Sequence, residues 1–177
     1  MLKLIGGLIL LAVVIILILA STKPSDFRVE RSITIDAPPQ KVAALINDFH
    51  NWTAWSPWAK MDPAMKTTYS GPVSGPGAIY EWEGNSKVGK GRMEILTTDP
   101  ARISVKLDFL KPFEGHNTAD FLLLPEGTGT RVTWAMGGPM DFFPGKIMSV
   151  FTTMDNVIGT DFEKGLASLK SLAEKQP

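Results

Sequence analysis

The chain has 177 residues, with 18 basic and 18 acidic side chains and no cysteine. This charge balance argues against a nucleic-acid-binding protein, which needs a clustered excess of basic residues. Without cysteine, no disulfide indicates the compartment. Residues 27–177 are enough for one domain with a sound hydrophobic core.

The N-terminal segment is strongly apolar. Nineteen residues between Lys3 and Lys23 carry no charge, and thirteen of the seventeen from Leu4 to Ala20 are Leu, Ile or Val. As a helix, the uncharged stretch is about 28 Å long, close to the ~30 Å hydrocarbon core of a bilayer. We therefore expect residues 1–22 to be an uncleaved, single-pass transmembrane anchor.

Two alternatives to an anchor are a cleaved signal peptide and a buried helix. A signal peptide has a shorter apolar run and a small-x-small cleavage site, whereas residues 18–21 place bulky side chains there. A buried helix normally keeps a polar face. The side of the membrane on which the domain lies stays open, because the positive charge of Lys3 on one flank is nearly balanced by Lys23, Arg28 and Arg31 on the other under the positive-inside rule. We lean towards an extracytoplasmic domain.

The connection between anchor and domain is short. Residues 23–26 form the predicted linker, and the six residues from Ser21 to Asp26 span at most ~20 Å when fully extended. The domain that begins at Phe27 must therefore work close to the bilayer surface.

The first part of the domain alternates between strand and helix patterns. Residues Phe27 to Asp36 alternate apolar and polar side chains, which predicts a half-buried strand. Pro38 and Pro39 then stop the strand, and the spacing from Gln40 to Phe49 predicts a short helix. Six further short strands follow between turns rich in Gly, Pro and Asn, which indicates an antiparallel meander. They are predicted at Met65–Ser70, Ala78–Glu83, Gly91–Thr97, Arg102–Phe109, Asn117–Leu124 and Thr130–Met136.

Three tryptophans precede the meander at a spacing of three. Trp52, Trp55 and Trp58 indicate a helical turn that is interrupted at Pro57. We expect these rings to close one end of the sheet as part of the core.

The last third of the chain changes to a helical period. From Ile147 to Leu172 the apolar residues recur in steps of three and four, which predicts one long amphipathic helix. Gly159 and Gly165 each cost such a helix about 1 kcal/mol, and we expect them to let it lie close against the sheet. The fold class is therefore α+β, with a curved antiparallel sheet of about seven strands around the long helix and a pocket between them.

Several phrases of the sequence together resemble one superfamily. They are Ile35-Asp-Ala-Pro-Pro39, the segment from Phe49 to Trp58, Thr130-Arg-Val-Thr-Trp134, and the helix from Met154 to Lys170. The chain resembles the SRPBCC superfamily of START-like or Bet v 1-like helix-grip proteins, and in particular members labelled polyketide cyclase/dehydrase. The resemblance implies a helix-grip fold with a deep, mostly apolar cavity, and the anchor is an addition to it.

The pattern supplies candidates for the cavity wall. Trp82 and Trp134 are prominent, because flat aromatic walls bind apolar ligands while the indole N–H holds a polar head. The full set of candidates is Tyr80, Trp82, Met93, Leu107, Phe121, Trp134, Met136, Phe151 and Ile158. In a helix-grip fold the loop with Met140, Phe142 and Phe143 lies near the cavity mouth, as a gate, a lipid-dipping loop or a packed connector.

Few residues favour catalysis. His50 and His116 are the only histidines and show no metal-ligand spacing, so we expect no metal and no cofactor. Glu94 and Asp120 lie in strands where one register would point them inward, as an acid or base, and the other would leave them in solvent.

The leading hypothesis is a membrane-anchored domain that binds a hydrophobic small molecule such as a lipid, an isoprenoid or a quinone-like compound. One alternative is a polyketide cyclase/dehydrase-type enzyme that uses an inward carboxylate or His116. Another is a protein-interaction module with a collapsed cavity. The expected partners are the membrane and the ligand, without nucleic acid, and the oligomeric state stays open.

Overall fold

One curved antiparallel sheet forms the body of the protein. The computed structural model describes residues 2–140 and 143–175, with the side chains of Leu2 and Phe143 not described. The seven strands have the order β1-β7-β6-β5-β4-β3-β2. Their bounds are β1 (Asp26–Ile35), β2 (Lys66–Ser70), β3 (Ile79–Glu83), β4 (Lys90–Asp99), β5 (Arg102–Lys111), β6 (Gly115–Glu126) and β7 (Gly129–Pro139). The predicted meander is confirmed, with β1 added beside β7.

Short helices connect β1 to β2. Helix α2 (Pro39–Ile46) starts with proline in its first turn, as predicted, but ends three residues earlier than its spacing suggested. A 3₁₀ turn (Phe49–Asn51) follows, because the Asp48 side chain accepts a hydrogen bond from the backbone N–H of His50 at 2.9 Å. Helix α3 (Trp52–Trp55) and a second 3₁₀ turn (Trp58–Lys60) complete the connection.

The prediction of one long helix starting at Ile147 is wrong in its N-terminal part, because the structure has two helices in this region. Helix α4 (Phe143–Phe151) ends before Thr152, and helix α5 (Met154–Lys175) begins two residues later. The hydroxyl of Thr153 accepts a hydrogen bond from the backbone N–H of Asn156 at 3.2 Å, which caps the new helix. The C-terminal helix itself is long, with 22 residues.

Helix α5 packs on the concave face of the sheet, where Phe162, Leu166 and Leu169 are fully buried. The expectation for its glycines is confirmed. A Cβ at Gly165 would lie 2.8 Å from Cζ3 of Trp134, and one at Gly159 would meet the Arg31 guanidinium. Helix and sheet therefore approach to contact distance only because these positions lack a side chain.

Helix α1 (Leu2–Ser21) precedes the sheet and is long and apolar enough to span a membrane, although its length and position also suit a signal sequence. Among its described residues, only Ile16 and Ala20 are not exposed. These two residues share one helix face, and α1 contacts α4.

Candidate functional site: an apolar cavity between sheet and helix

A cavity of about 250 Å³ lies between the concave face of the sheet, the tryptophan-rich connection and α5. Its wall is almost entirely apolar. The lining residues are Trp52, Thr53, Ser56, Trp58, Ala59, Met65, Tyr80, Trp82, Lys87, Val88, Met93, Leu107, Phe109, Ala119, Trp134, Met136, Ile158 and Phe162.

The sheet side of the wall follows from strand alternation. On β3, Tyr80 and Trp82 point inward with their rings stacked at 6.0 Å, while Glu81 between them is exposed. On the neighbouring strands the register places Met93 beside Tyr80 and Met136 beside Ala119. Because successive side chains of a strand point to opposite faces, every strand from β3 to β7 contributes apolar groups to the same concave surface.

Trp134 is the centre of an aromatic stack at the inner end of the cavity. Its ring lies between those of Phe162 and Phe121. The distance between ring centroids is 4.2 Å to Phe162, with an angle of 10° between the ring planes, and 5.1 Å to Phe121, with an angle of 25°. Trp58 meets the ring of Trp134 edge-on at 5.7 Å. The stack joins α5 to β6 and β7, so one wall of the cavity is held by ring contacts from both layers.

The indole N–H groups differ in their hydrogen bonding. Trp52, Trp55 and Trp82 donate to the carbonyl oxygens of Ile46, Leu45 and Val88 at 2.8, 3.1 and 2.9 Å. The Nε1 atom of Trp134 is buried and has no acceptor among the described residues. Such an unpaired buried donor costs about 1–3 kcal/mol, so a ligand oxygen that reached this N–H would gain a hydrogen bond.

Two lining side chains can titrate among the described residues, Tyr80 and Lys87. Burial, with a smaller contribution from neighbouring Tyr69, raises the pKa of Tyr80 to about 12. The phenol is therefore protonated at neutral pH and can donate a hydrogen bond. Lys87 lies in the turn between β3 and β4, where its backbone N–H donates to Oδ1 of Asn85 at 2.8 Å.

Most of the residues predicted from the sequence come together in this cavity. Those that line it are Tyr80, Trp82, Met93, Leu107, Trp134, Met136 and Ile158. Phe121 is fully buried behind Trp134 and does not line the cavity. Phe151 was wrongly placed in the wall, because the break after α4 leaves its side chain 71% exposed.

The predicted mouth loop is only partly described. Met140 is buried, and its backbone N–H donates to the carbonyl oxygen of Ser25 at 2.8 Å. Phe143 begins α4, but its side chain and all of Phe142 lie outside the described residues. The role of this loop stays a prediction.

Sequence reasoning missed several lining residues, above all Trp52, Trp58 and Phe162. The tryptophans were expected to fill the core at the end of the sheet, whereas Trp52 and Trp58 face the cavity and Trp55 alone is completely buried. Phe162 follows Ile158 at a spacing of four on the same helix face. That spacing could have identified it.

Of the two registers left open for Glu94 and Asp120, the structure has the one that places both carboxylates on the outer face of the sheet. Asp120 stands between the inward residues Ala119 and Phe121, and it accepts hydrogen bonds from Ser104 and from Arg102 Nη2, the latter at 2.9 Å. Glu94 likewise pairs with Arg92 at 2.8 Å. The neighbouring apolar residues fix this register, and the carboxylates consequently cannot reach the cavity.

His116 is also outside the cavity. Its side chain is largely exposed, and its Nδ1 lies 2.7 Å from Oδ1 of Asp108. The cyclase mechanism based on an inward carboxylate or His116 is therefore wrong. The collapsed cavity of the interaction-module hypothesis is contradicted by the open space described above.

Solved structures with the same fold have low sequence identity to this chain. Protein CV1439 from Chromobacterium violaceum is 18% identical with a TM-score of 0.59, over 87% of this chain and 100% of the other. Aha1 from Colwellia psychrerythraea, solved as a dimer, is 16% identical with a TM-score of 0.58, over 84% and 97%. The di-domain ARO/CYC BexL from the BE-7585A biosynthetic pathway is 18% identical with a TM-score of 0.61, over 91% and 54%.

At these identities the likeness shows the fold alone. None of the curated proteins matches the sequence. The profile of one family, described as "Polyketide cyclase / dehydrase and lipid transport", matches residues 26–174. Together with the helix-grip architecture, this match identifies a hydrophobic ligand-binding or cyclase domain, and the chain belongs to the polyketide cyclase / dehydrase and lipid transport family.

Proposed function

We propose that the protein is a membrane-tethered binding domain for a compact hydrophobic molecule, with residues 1–22 as the anchor, 23–26 as the linker and 27–177 as the binding domain. The observation that carries this proposal is the apolar cavity of about 250 Å³ between the sheet and α5. Its lining of aromatic rings, methionines and aliphatic side chains is typical of sites that bind apolar ligands.

The size of the cavity narrows the class of ligand. At about 250 Å³ it exceeds the roughly 150 Å³ cavity that holds benzene, and it lies just below the usual range for drug-sized ligands. A quinone-like ring or a short isoprenoid suits this space better than both acyl chains of a phospholipid. Burying about 200 Å² of apolar ligand surface contributes about 5 kcal/mol before the costs of association.

The unpaired N–H of Trp134 supports a ligand with one hydrogen-bond acceptor. A carbonyl or hydroxyl oxygen would satisfy this donor, and the match would favour oxygenated ligands over pure hydrocarbons. Because the N–H is buried, the ligand must displace a side chain to reach it. Trp58 is half-buried and meets Trp134 edge-on, so it is the neighbour best suited to move.

Helix α1 supports the bilayer as the source of the ligand. If α1 spans the membrane, the five residue steps from its end at Ser21 to the start of β1 at Asp26 can extend no more than about 18 Å. The cavity then stays beside a medium in which apolar molecules concentrate. Uptake would not require the ligand to cross bulk water.

The direct test measures the affinity of the neutral probe N-phenyl-1-naphthylamine for the full chain in nanodiscs. Binding is detected by energy transfer from the cavity tryptophans to the probe. Ala119→Leu adds three carbon atoms to the cavity wall and should weaken probe binding about tenfold, or about 1.4 kcal/mol. Thr118→Leu makes a comparable change on the exposed outer face of the same strand and should leave the affinity unchanged. Equal affinities for all three proteins would contradict the proposal, and native mass spectrometry of the extracted complex would identify the natural ligand.

A cyclase remains the second candidate, because the protonated Tyr80 phenol lines the cavity. Positioned phenols can polarise a carbonyl oxygen or donate a proton. Incubating the protein with its extracted ligand and following the mass and retention time of the product tests this candidate. Conversion that is lost in Tyr80→Phe would favour the enzyme, and an unchanged ligand would favour the binding domain.

A further inference from the structure

Three large apolar side chains are exposed on α4 and the first turn of α5, a turn that also carries the exposed polar residues Asp155 and Asn156. Phe151 is 71% exposed, Val157 47% and Met148 38%. Exposed side chains of this size on adjoining turns form a patch of the kind that marks a partner or membrane contact. We infer that this patch lies in the lipid bilayer interface and forms a second, monotopic membrane contact. The inference rests on the proposed function, which places α1 in the membrane.

The packing of α4 against α1 identifies the bilayer as the occupant. The two helices are in contact, and the covered residues of α1 among those described are Ile16 and Ala20. Both belong to the uncharged stretch that would cross the bilayer. A helix that packs against this stretch lies at membrane level, so its own apolar side chains meet lipid rather than water.

Hydrogen bonds fix α4 at this level. Nζ of Lys146 donates to Oγ of Ser25 at 3.0 Å, and the carbonyl oxygen of Ser25 accepts from the backbone N–H of Met140 at 2.8 Å. The linker is thus attached to Met140, just after β7, and to Lys146 in α4. Lys146, with Lys23 in the linker, places positive charge where lipid headgroups lie, a position that long basic side chains favour.

The contact has a consequence for access to the cavity. Val157 in the patch is followed directly by Ile158, which lines the cavity, and Phe162 lines it one turn later. The first turns of α5 therefore separate bilayer from cavity by the thickness of one helix. Outward movement of this turn would open the cavity towards lipid.

The chain contains no cysteine, so single spin labels can be attached without removing native residues. Three variants of the full chain in nanodiscs are needed: Phe151→Cys in the patch, Ile9→Cys in α1 and Leu124→Cys on β6. Leu124 is a matched control, because it is exposed and lies far from the linker. Leu124 pairs with Arg131 of β7, which pairs with Thr34 of β1. Thr34 lies about 26 Å along β1 from Asp26, where the linker ends. The readout is the accessibility of each label to oxygen and to a nickel chelate, which gives its depth in the bilayer.

We expect the label at Phe151 to lie about 5–10 Å inside the headgroup boundary, the label at Ile9 near the bilayer centre and the label at Leu124 in water. A label at Phe151 that is as accessible to nickel as the one at Leu124 would overturn the inference while Ile9 still reports a spanning helix. An aqueous label at Ile9 would instead overturn the anchor of the proposed function. Dipolar broadening between labels at Phe151 would assign the patch to a second copy of the chain and also overturn the inference.

Discussion

The two faces of the sheet have opposite chemistry although they are made by the same strands. On β6, Ala119 lines the cavity and Phe121 is buried behind Trp134, both on the concave side, while Asp120 between them pairs with Arg102 on the outside. On β5, Leu107 lines the cavity while Asp108 pairs with His116 and Lys106. Strand alternation thus separates the charged groups of these strands from the site by one backbone thickness, which favours binding by apolar contact over proton-transfer chemistry.

The largest expected difference between the faces concerns core packing. Phe121→Ala should lower the free energy of unfolding by about 3–5 kcal/mol, because it removes a fully buried ring that stacks on Trp134. Leu122→Ala, one residue later on the outer face, should cost about 1 kcal/mol. Urea unfolding of both variants, followed by tryptophan fluorescence, measures the difference. Equal losses would show that the outer face contributes to the core as much as the concave face does.

A smaller effect is expected where the concave face lacks a side chain. The ring of Trp82 lies over Gly91 on the neighbouring strand, and a Cβ there would meet its carbon atoms. Gly91→Ala should therefore cost about 1–3 kcal/mol by overpacking and should also weaken binding of the naphthylamine probe, since the ring lines the cavity. Gly115→Ala is the control, because its Cβ would meet its nearest neighbour at an ordinary 3.6 Å. Unchanged probe binding in Gly91→Ala would mean that the ring position does not shape the site.

The smallest effect concerns charge on the outer face. Burial raises the pKa of Asp108, but the hydrogen bonds from His116 and Lys106 outweigh it and hold the pKa below its usual value. A carboxyl whose pKa is lower in the folded state stabilises the fold above its unfolded pKa of about 3.9, and this stabilisation is lost as the pH falls further. His116→Ala should therefore reduce the loss of stability between pH 7 and pH 3, measured by thermal unfolding. Identical acid profiles would contradict this role of the outer pair.

Periodicity in the sequence predicted the strand meander and the inward positions of β3 to β7, because a buried face requires apolar residues at every second position. Because Met93 and Phe121 were predicted to point inward, the same alternation favours the outer face for Glu94 and Asp120. The register of the paired strands, which the sequence does not contain, fixes this orientation. The same limit applies to Trp52 and Trp58, whose spacing indicated a turn but not which rings border an open space.

For a related reason, the apolar spacing of the sequence did not predict the break between α4 and α5. Phe151 and Met154 continue the three-and-four spacing across Thr152 and Thr153, so the apolar pattern is that of one helix. Only the cap made by Thr153 and the packing of α4 on α1 distinguish two helices from one. This explains why Phe151 was assigned to the cavity rather than to the exposed patch.

The attachment of Ser25 to Met140 and Lys146 has a consequence for transport. With α1 in a bilayer, a domain held at such short range cannot ferry cargo across an aqueous gap between two membranes, as a freely diffusing carrier does. It can only diffuse laterally and pass its contents to a recipient in the same leaflet or to one that docks on it. The protein would then act as a membrane-bound reservoir, whose exchange rate depends on two-dimensional encounters within the membrane.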